Sequence, residues 1–169
     1  VGLALAKSAI SSEKKIAFAF GCETTSDIRL HYFAASEYTI NKKTGGIFKV
    51  DNSVGDKVEI MISDVQSYLI AMRYMMAFNS EEKIVTYWDE PTITMDYEDH
   101  GLHEQIHMNW KENKISKMVL SCATLPSEEE IQDSIRDFKC KFDDVEIHSI
   151  NSYDYRKSIS LINKDCKCV

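Results

Sequence analysis

The stretch 84–92, IVTYWDEPT, is an apolar run that ends in two adjacent carboxylates. The run predicts a buried strand, which delivers the side chains at its carboxyl end to fixed positions. In open α/β sheets the ligand crevice lies outside those carboxyl ends. Asp89 and Glu90 are therefore candidates for phosphate chemistry, with Asp89 binding Mg²⁺ through water and Glu90 orienting a second water for attack. The alternative is a solvated strand edge, where charged side chains commonly cluster.

Strand and helix patterns alternate along the rest of the chain. A second apolar run, residues 118–120, ends in Ser121, Cys122, Ala123 and Thr124. Strands are predicted at 15–20, 58–62, 84–88, 118–120 and 145–150; helices at 1–10, 26–33, 64–76, 102–111 and 127–141; and a loop or hairpin at 39–57. Ser127 and Glu130 form a capping box that starts the last helix. This alternation predicts βαβ crossovers and a parallel, doubly wound sheet.

The two strand-end segments together resemble motifs II and III of the superfamily-two helicases, the DEAD-box-like ATP-dependent translocases. In that family a D-E-x-x box closes one strand and S-A-T closes its neighbour, and the 33 positions from Asp89 to Cys122 fit that spacing. The strings WDEPT and LSCATLP are similar to those of helicases of large cytoplasmic DNA viruses. The resemblance follows nearly the whole chain in order, and motifs II and III are its specific parts.

The resemblance implies an α/β fold of the RecA-like kind, a doubly wound parallel sheet with helices on both faces. Residues 1–169 would form a single partial helicase lobe, from after the phosphate-binding loop through motifs II and III. ATP and Mg²⁺ are the implied cofactors, and a DNA or RNA strand and a second helicase lobe the implied partners. Asp89 and Glu90 would serve hydrolysis, and residues 121–124 would couple it to strand movement.

The chain departs from the family pattern at several positions. Pro91 and Thr92 follow the two acids in place of the common Ala-Asp or Ala-His, and Cys122 stands where the family has serine. These changes put the hydrogen-bond relay between motifs II and III in doubt and leave the roles of Asp89 and Glu90 intact. No G-x-x-x-x-G-K-[ST] loop occurs in the 169 residues. Because the chain begins at an apolar segment without methionine, we expect it to be a piece of a longer protein that is inactive as a fragment.

Three further segments match family elements by position alone. Residues 20–22 correspond to motif Ia and residues 63–64 to motif Ib. Gly45 and Gly46 correspond either to the family's double-glycine element or to a hairpin turn that needs a positive φ.

A rival motif predicts a different class of enzyme. Residues 103–107 read H-E-x-x-H, in which His103 and His107 could bind Zn²⁺ while Glu104 activates a water. A third ligand is required, and Trp110 and Asn113 occupy the glycine and histidine positions of the extended motif. The open alternatives are therefore a zinc metallopeptidase, a solvated helix face, and a non-enzymatic RecA-like scaffold in which the acids are surface residues.

Composition limits the remaining classes. The net charge of −7 gives no general attraction to nucleic acid, so contacts with phosphates must come from local lysines and arginines. Five scattered cysteines without metal-knuckle spacing indicate a reducing compartment. No apolar run is long enough to span a bilayer. We therefore expect an intracellular, cytoplasmic protein without a membrane partner.

Overall fold

The computed structural model describes residues 2–35, 37–51, 58–92, 94 and 97–151. Its contacts divide the chain into two compact units, Val1–Leu125 and Pro126–Val169. The described strands are β1 (Ile16–Ala19), β2 (Arg29–Leu30), β3 (Tyr38–Ile40), β4 (Ile47–Val50), β5 (Ile60–Ser63), β6 (Thr86–Asp89) and β7 (Met118–Ser121). The described α-helices are α1 (Gly2–Ser11), α2 (Tyr68–Met76), α3 (His103–Glu112) and α4 (Gln132–Lys141), of which α4 lies in the second unit. The fold is mixed α/β.

Parallel pairing occurs twice among the described strands. β1 pairs with β5 in parallel, from Ile16 opposite Ile60 to Ala19 opposite Ser63. β6 pairs with β7 in the same sense. The two parallel pairs are not hydrogen-bonded to each other in the described part of the chain. The structure therefore has a mixed sheet of strand order β2-β1-β5 and a separate β6-β7 pair. The sequence predicts one continuous parallel sheet instead.

β1 is the centre of the core because its side chains are apolar and small. Ile16, Ala17 and Ala19 are fully buried, and Ile28 and Ala71 pack in the same core. The short alanine side chains let α1 and α2 approach the strand closely, which compact packing requires. Within the described residues, no helix has both the length and the apolar character needed to cross a membrane.

The hairpin predicted in the turn-rich region is confirmed. β3 and β4 pair antiparallel, and Gly45 has a φ of +69° in the turn between them. Glycine adopts this conformation without the Cβ clash that other residues meet. Residues 52–57, the end of the predicted loop or hairpin region, lie outside the described residues.

The helix predicted at 26–33 is wrong. The Asp27 carboxylate accepts hydrogen bonds from the Thr24 amide and hydroxyl at 2.8 and 3.0 Å, which closes a local turn instead of starting a helix. The chain then forms β2, antiparallel to β1, and the His31 amide donates to the Ile16 carbonyl at 2.9 Å. Pairing with a strand distant in sequence overrides the amphipathic pattern.

The strand predicted at 145–150 is also wrong. The side chains of Val145 and Ile147 are partly buried and their neighbours are exposed, as the alternating pattern predicts. No described strand pairs with this segment, and none of its residues is in a strand. Alternation alone cannot supply a strand partner.

Two predicted helices start later than expected because polar side chains close a turn before each. The Asp64 carboxylate accepts the Ser67 amide hydrogen bond at 2.7 Å, and α2 begins at Tyr68. The Glu130 carboxylate accepts hydrogen bonds from the Ser127 amide and hydroxyl at 2.8 and 2.9 Å, and α4 begins only at Gln132. The other helices and strands lie where the sequence predicts them, to within a few residues.

Candidate functional site

The carboxyl ends of β6 and β7 bring the two strand-end segments together. Asp89 is the register partner of Ser121, and the Glu90 amide donates to the Ser121 carbonyl at 2.7 Å. The apolar runs select the strands, and parallel pairing puts both polar ends at the same edge. The positions of Asp89, Glu90 and residues 121–124 therefore agree with the expected meeting of two neighbouring parallel strands at their carboxyl ends.

The Cys122 thiol is the polar contact at the centre of this edge. Its sulfur donates to the Glu90 carboxylate, with 3.1 Å between Sγ and Oε2. The Thr92 hydroxyl lies 2.9 Å from the same sulfur, and the Thr124 amide donates to it at 3.4 Å. The Cys122 sulfur therefore links the two strand-end segments through hydrogen bonds.

Glu90 has a backbone conformation that is uncommon for a residue with a side chain. Its φ is +53°, in the left-handed region. The Cβ atom makes this region costly for residues other than glycine, by about 1–2 kcal/mol. The bonds from its amide to Ser121 and from Cys122 to its carboxylate hold Glu90 in place. Strained residues that are held in this way concentrate at functional sites.

The Asp89 side chain is available to a cation. It is exposed, and within the described ranges its carboxylate has no hydrogen-bond or ion-pair partner. Mg²⁺ in phosphate-transfer sites is commonly held by one or two carboxylates, with water and phosphate oxygens completing the octahedron. A single free carboxylate beside Glu90 fits this ligand set. No cluster of three His, Cys, Asp or Glu side chains suited to a metal occurs among the described residues.

A cleft of about 1320 Å³ runs past the two acids. Its walls include Ile62 of β5, Tyr68 and Met72 of α2, and Trp88 of β6, and it extends to Asp89 and Glu90. The cleft is therefore largely apolar, with Asp89 and Glu90 where β6 ends and further charged residues, Glu59, Asp64 and Lys83, elsewhere along it. Such apolar clefts with a few convergent polar groups are typical ligand sites.

A second polar network joins the carboxyl ends of β1 and β5. The Asp64 carboxylate accepts the Gly21 amide at 2.9 Å, and the Ser67 hydroxyl accepts the Cys22 amide at 2.9 Å. Ser67 is fully buried. Sequence reasoning placed residues 20–22 and 63–64 in two separate motifs and did not include Ser67. An Asp three residues before a Ser, directly after a strand, was the available signal.

The helix that carries H-E-x-x-H uses a different pair of side chains for its buried face. Asn109 and Asn113 are almost fully buried. The side-chain amide of Asn109 donates a hydrogen bond from Nδ2 to the Val65 backbone carbonyl at 2.6 Å. His103 is half-buried and donates from Nε2 to the Thr94 carbonyl at 2.9 Å, whereas His107 is exposed. The two histidines lie on the half-exposed side of α3, and one of them already has a carbonyl partner.

Buried asparagine also connects α3 to α2 and β6. The Asn113 side-chain oxygen Oδ1 accepts a hydrogen bond from the Tyr68 hydroxyl at 2.6 Å, and the Thr86 hydroxyl lies 3.4 Å from the same tyrosine oxygen. Burial raises the pKa of Tyr68, because the phenolate would be poorly solvated there. The phenol therefore stays protonated and acts as a hydrogen-bond donor that fixes the helix pair beside the cleft.

The fold and site define a mixed α/β protein with an acidic strand-end site beside an apolar cleft. Comparisons of the chain with protein-family models, with curated proteins and with solved structures gave no match.

Proposed function

We propose that this chain is part of an ATP-dependent nucleic-acid helicase or translocase of superfamily two that acts in the cytoplasm. The observation that supports the proposal most is the convergence of Asp89-Glu90 with residues 121–124 through the Glu90–Cys122 hydrogen bond. The proposal includes a RecA-like arrangement, with the β1–β5 and β6–β7 pairs belonging to one doubly wound sheet of a single lobe. A DNA or RNA strand and a second lobe would be its partners.

The proposed chemistry divides between the two acids. Asp89 would hold Mg²⁺ through water, and the ion when bound supplies positive charge beside the phosphate oxygens. Glu90 would accept a hydrogen bond from the attacking water and orient it. The Cys122 thiol donates to Oε2 of Glu90, and Oε1 would accept the hydrogen bond from that water. Thr92 and Thr124 fix the sulfur and thereby the carboxylate.

The first prediction concerns ATP hydrolysis by the longer protein that includes the phosphate-binding loop. Glu90→Gln keeps the size of the side chain but removes the charge that polarises the water, so we expect turnover to fall by about 100-fold or more. Nucleotide affinity should persist, whereas Asp89→Asn should weaken its Mg²⁺-dependent part as well. The measurements are steady-state ATP hydrolysis, with and without a single strand, and nucleotide affinity by fluorescence.

The matched control is Glu104→Gln, which makes the same chemical change in the H-E-x-x-H segment. We expect this variant to hydrolyse ATP at the unchanged rate. Full hydrolysis by the Glu90→Gln protein would return Asp89 and Glu90 to the status of solvated strand-edge residues.

The second prediction separates the zinc peptidase from the helicase. The contact of His103 with the Thr94 carbonyl leaves His107 as the only histidine of the pair without a described hydrogen bond. We expect purified protein to contain far less than one equivalent of zinc by elemental analysis. Stoichiometric zinc that is lost in the His107→Ala variant would favour the peptidase and count against the helicase.

A further inference from the structure

The hairpin formed by β3 and β4, residues 38–50, has a charge opposite to that of the chain. It contains Lys42, Lys43 and Lys49 and no Asp or Glu, while the chain carries a net charge of −7. Glu37 and Asp51 flank it at its base, so the positive charge is concentrated towards the turn. All three lysines are exposed. A local positive patch on an acidic protein attracts polyanions at short range, within about one Debye length of 8–10 Å.

Large apolar side chains are also exposed on the hairpin. Phe48 is 76% exposed, Ile40 is 55% exposed and Tyr38 is 46% exposed. Phe48 has no cross-strand partner, because Thr39 pairs with Lys49 while Ile40 pairs with Ile47. Phe48 is thus the extra residue of a β-bulge, a feature that commonly redirects a side chain next to a functional surface.

The turn of the hairpin is fixed by its own hydrogen bonds. The Asn41 amide donates to the Gly46 carbonyl and the Gly45 amide to the Asn41 carbonyl, each at 2.8 Å. The Asn41 side chain accepts the Lys43 amide at 2.9 Å. Binding to such a surface costs little backbone ordering, since the lysine-bearing turn already has one conformation.

The base of the hairpin is anchored to the first unit. The Tyr38 ring packs edge-on against Tyr32, with 5.4 Å between the ring centroids, and Val50 packs against the core. The chain reaches this base from the amino end of β1, because β2 runs antiparallel to β1 and His31 bonds to Ile16. The hairpin surface is therefore separate from the Asp64 network at the carboxyl ends of β1 and β5.

We propose that this hairpin binds a single nucleic-acid strand, with Lys42, Lys43 and Lys49 against phosphates and Phe48 stacked on a base. A nucleic-acid strand carries a phosphate anion and a flat base in every nucleotide. The lysines can contact the phosphates, and the phenylalanine ring can stack on a base. The choice of a nucleic acid rests on the proposed helicase function. DNA and RNA share this chemistry, and the experiment distinguishes them.

The test is the binding of fluorescein-labelled oligodeoxyuridine and oligouridine to the 169-residue protein, followed by anisotropy at several salt concentrations and without nucleotide. We expect Phe48→Ala to weaken binding about tenfold, in line with the loss of one stacked base. The variant with Lys42, Lys43 and Lys49 all changed to Ala should bind more weakly. The slope of log affinity against log salt should shrink by up to about 2, because three phosphate contacts are lost.

The control variant has Lys7, Lys83 and Lys114 changed to Ala, which alters the total charge equally at three exposed positions outside the hairpin. A second control is Phe78→Ala, at another exposed phenylalanine. Binding that both controls retain and both hairpin variants lose supports the proposal. Oligodeoxyuridine differs from oligouridine in the sugar alone, so stronger binding of one of these two strands identifies the preferred sugar. Circular dichroism establishes that every variant is folded.

Three results would overturn the proposal. The first is that the folded wild-type protein binds neither oligonucleotide. The second is that the hairpin and control lysine variants weaken binding equally, and the third is that the hairpin variants bind the strand normally but lose binding to phosphatidylserine vesicles. Because no nucleotide is present, the outcome is independent of ATP hydrolysis. If the strand binds through the hairpin but the longer protein has no ATPase activity, only the helicase proposal is contradicted. If the longer protein hydrolyses ATP but the hairpin variants bind the strand normally, only the hairpin proposal is contradicted.

Discussion

Glu90 has a left-handed backbone conformation that lowers the stability of the fold, while its side chain is the one proposed to act in ATP hydrolysis. A residue at the end of a strand has no need of a positive φ unless the chain must turn sharply there, and Glu90 turns while its amide stays bonded to Ser121. Glycine would adopt the same φ without the Cβ clash. The positive φ supports the role proposed for the Glu90 carboxylate, because strained residues concentrate at functional sites. It does not establish that role alone, since Glu13 has the same backbone conformation and no proposed function.

At this scale we predict that Glu90→Gly stabilises the protein. Relief of the left-handed strain, about 1–2 kcal/mol, exceeds the entropic cost of glycine, about 0.5–1 kcal/mol. We expect the free energy of unfolding to rise by about 0.5–1 kcal/mol, measured by urea denaturation. The same variant in the longer protein should lose ATP hydrolysis.

Two glycine controls accompany this variant. Glu13 also has a positive φ, +55°, so Glu13→Gly should stabilise the protein without affecting hydrolysis. Glu104 lies in the first turn of α3, where glycine should lower the free energy of unfolding by about 1 kcal/mol. If Glu90→Gly destabilised the protein as much as Glu104→Gly, the strain at Glu90 would be contradicted.

Among the elements, β1 and β5 are joined at both ends by carboxylates. Asp64 binds the Gly21 amide beyond the carboxyl ends of the strands. At the amino ends, Glu59 accepts the Lys15 amide at 3.0 Å and the Lys14 ammonium at 2.9 Å. These bonds fix the parallel register from both sides, which the four-residue strands alone would specify weakly.

The Glu59 contacts predict a dependence of stability on pH. The Lys15 amide, followed by the Lys14 side chain, lowers the pKa of Glu59 below its ordinary 4.5. A depressed pKa contributes stability that is present above the unfolded value and is lost as the pH falls through the folded value. Urea denaturation should therefore show that Glu59→Gln destabilises the protein at pH 7 and has less effect at acid pH.

An exposed glutamate elsewhere provides the comparison for this pH experiment. Glu112→Gln, at the end of α3, should change the free energy of unfolding little at either pH. A Glu59→Gln effect that stays constant down to pH 3 would show that the carboxylate contributes through size and not through charge.

At the scale of the whole molecule, the hairpin at residues 38–50 and the acids at the end of β6 differ in charge. The chain is acidic overall, yet residues 38–50 contain three lysines without an acid. The acids proposed for phosphate chemistry lie at the ends of β6, whereas the hairpin is reached from the amino end of β1. The net charge gives no general attraction to nucleic acid, so the strand contact that we propose depends on the local lysines of the hairpin.

The apolar runs determined the strands and the meeting of their ends. The pattern at 84–88 and 118–120 predicts β6 and β7 within a few residues. The prediction that the run at 84–88 is a buried strand is wrong, because Val85 and Tyr87 are more than half exposed and β6 pairs with β7 alone among the described strands. A helix, α3, separates the two strands, and a connection of this length allows them to pair in parallel. Parallel strands have their carboxyl ends at the same edge. Asp89, Glu90 and Cys122 were therefore recognisable as neighbours from sequence.

Tertiary structure decided the features that depend on partners far apart in the chain. Residues 29–30 became a strand only because β1 offered an open edge, and residues 145–150 found no such partner among the described strands. The left-handed φ of Glu90 and its bond to Cys122 arise where two strands meet, and Phe48 is set outward by the register of β3 against β4. Local sequence fixes which faces are apolar, whereas register, bulges and strand partners follow from the packing of segments that the sequence keeps far apart.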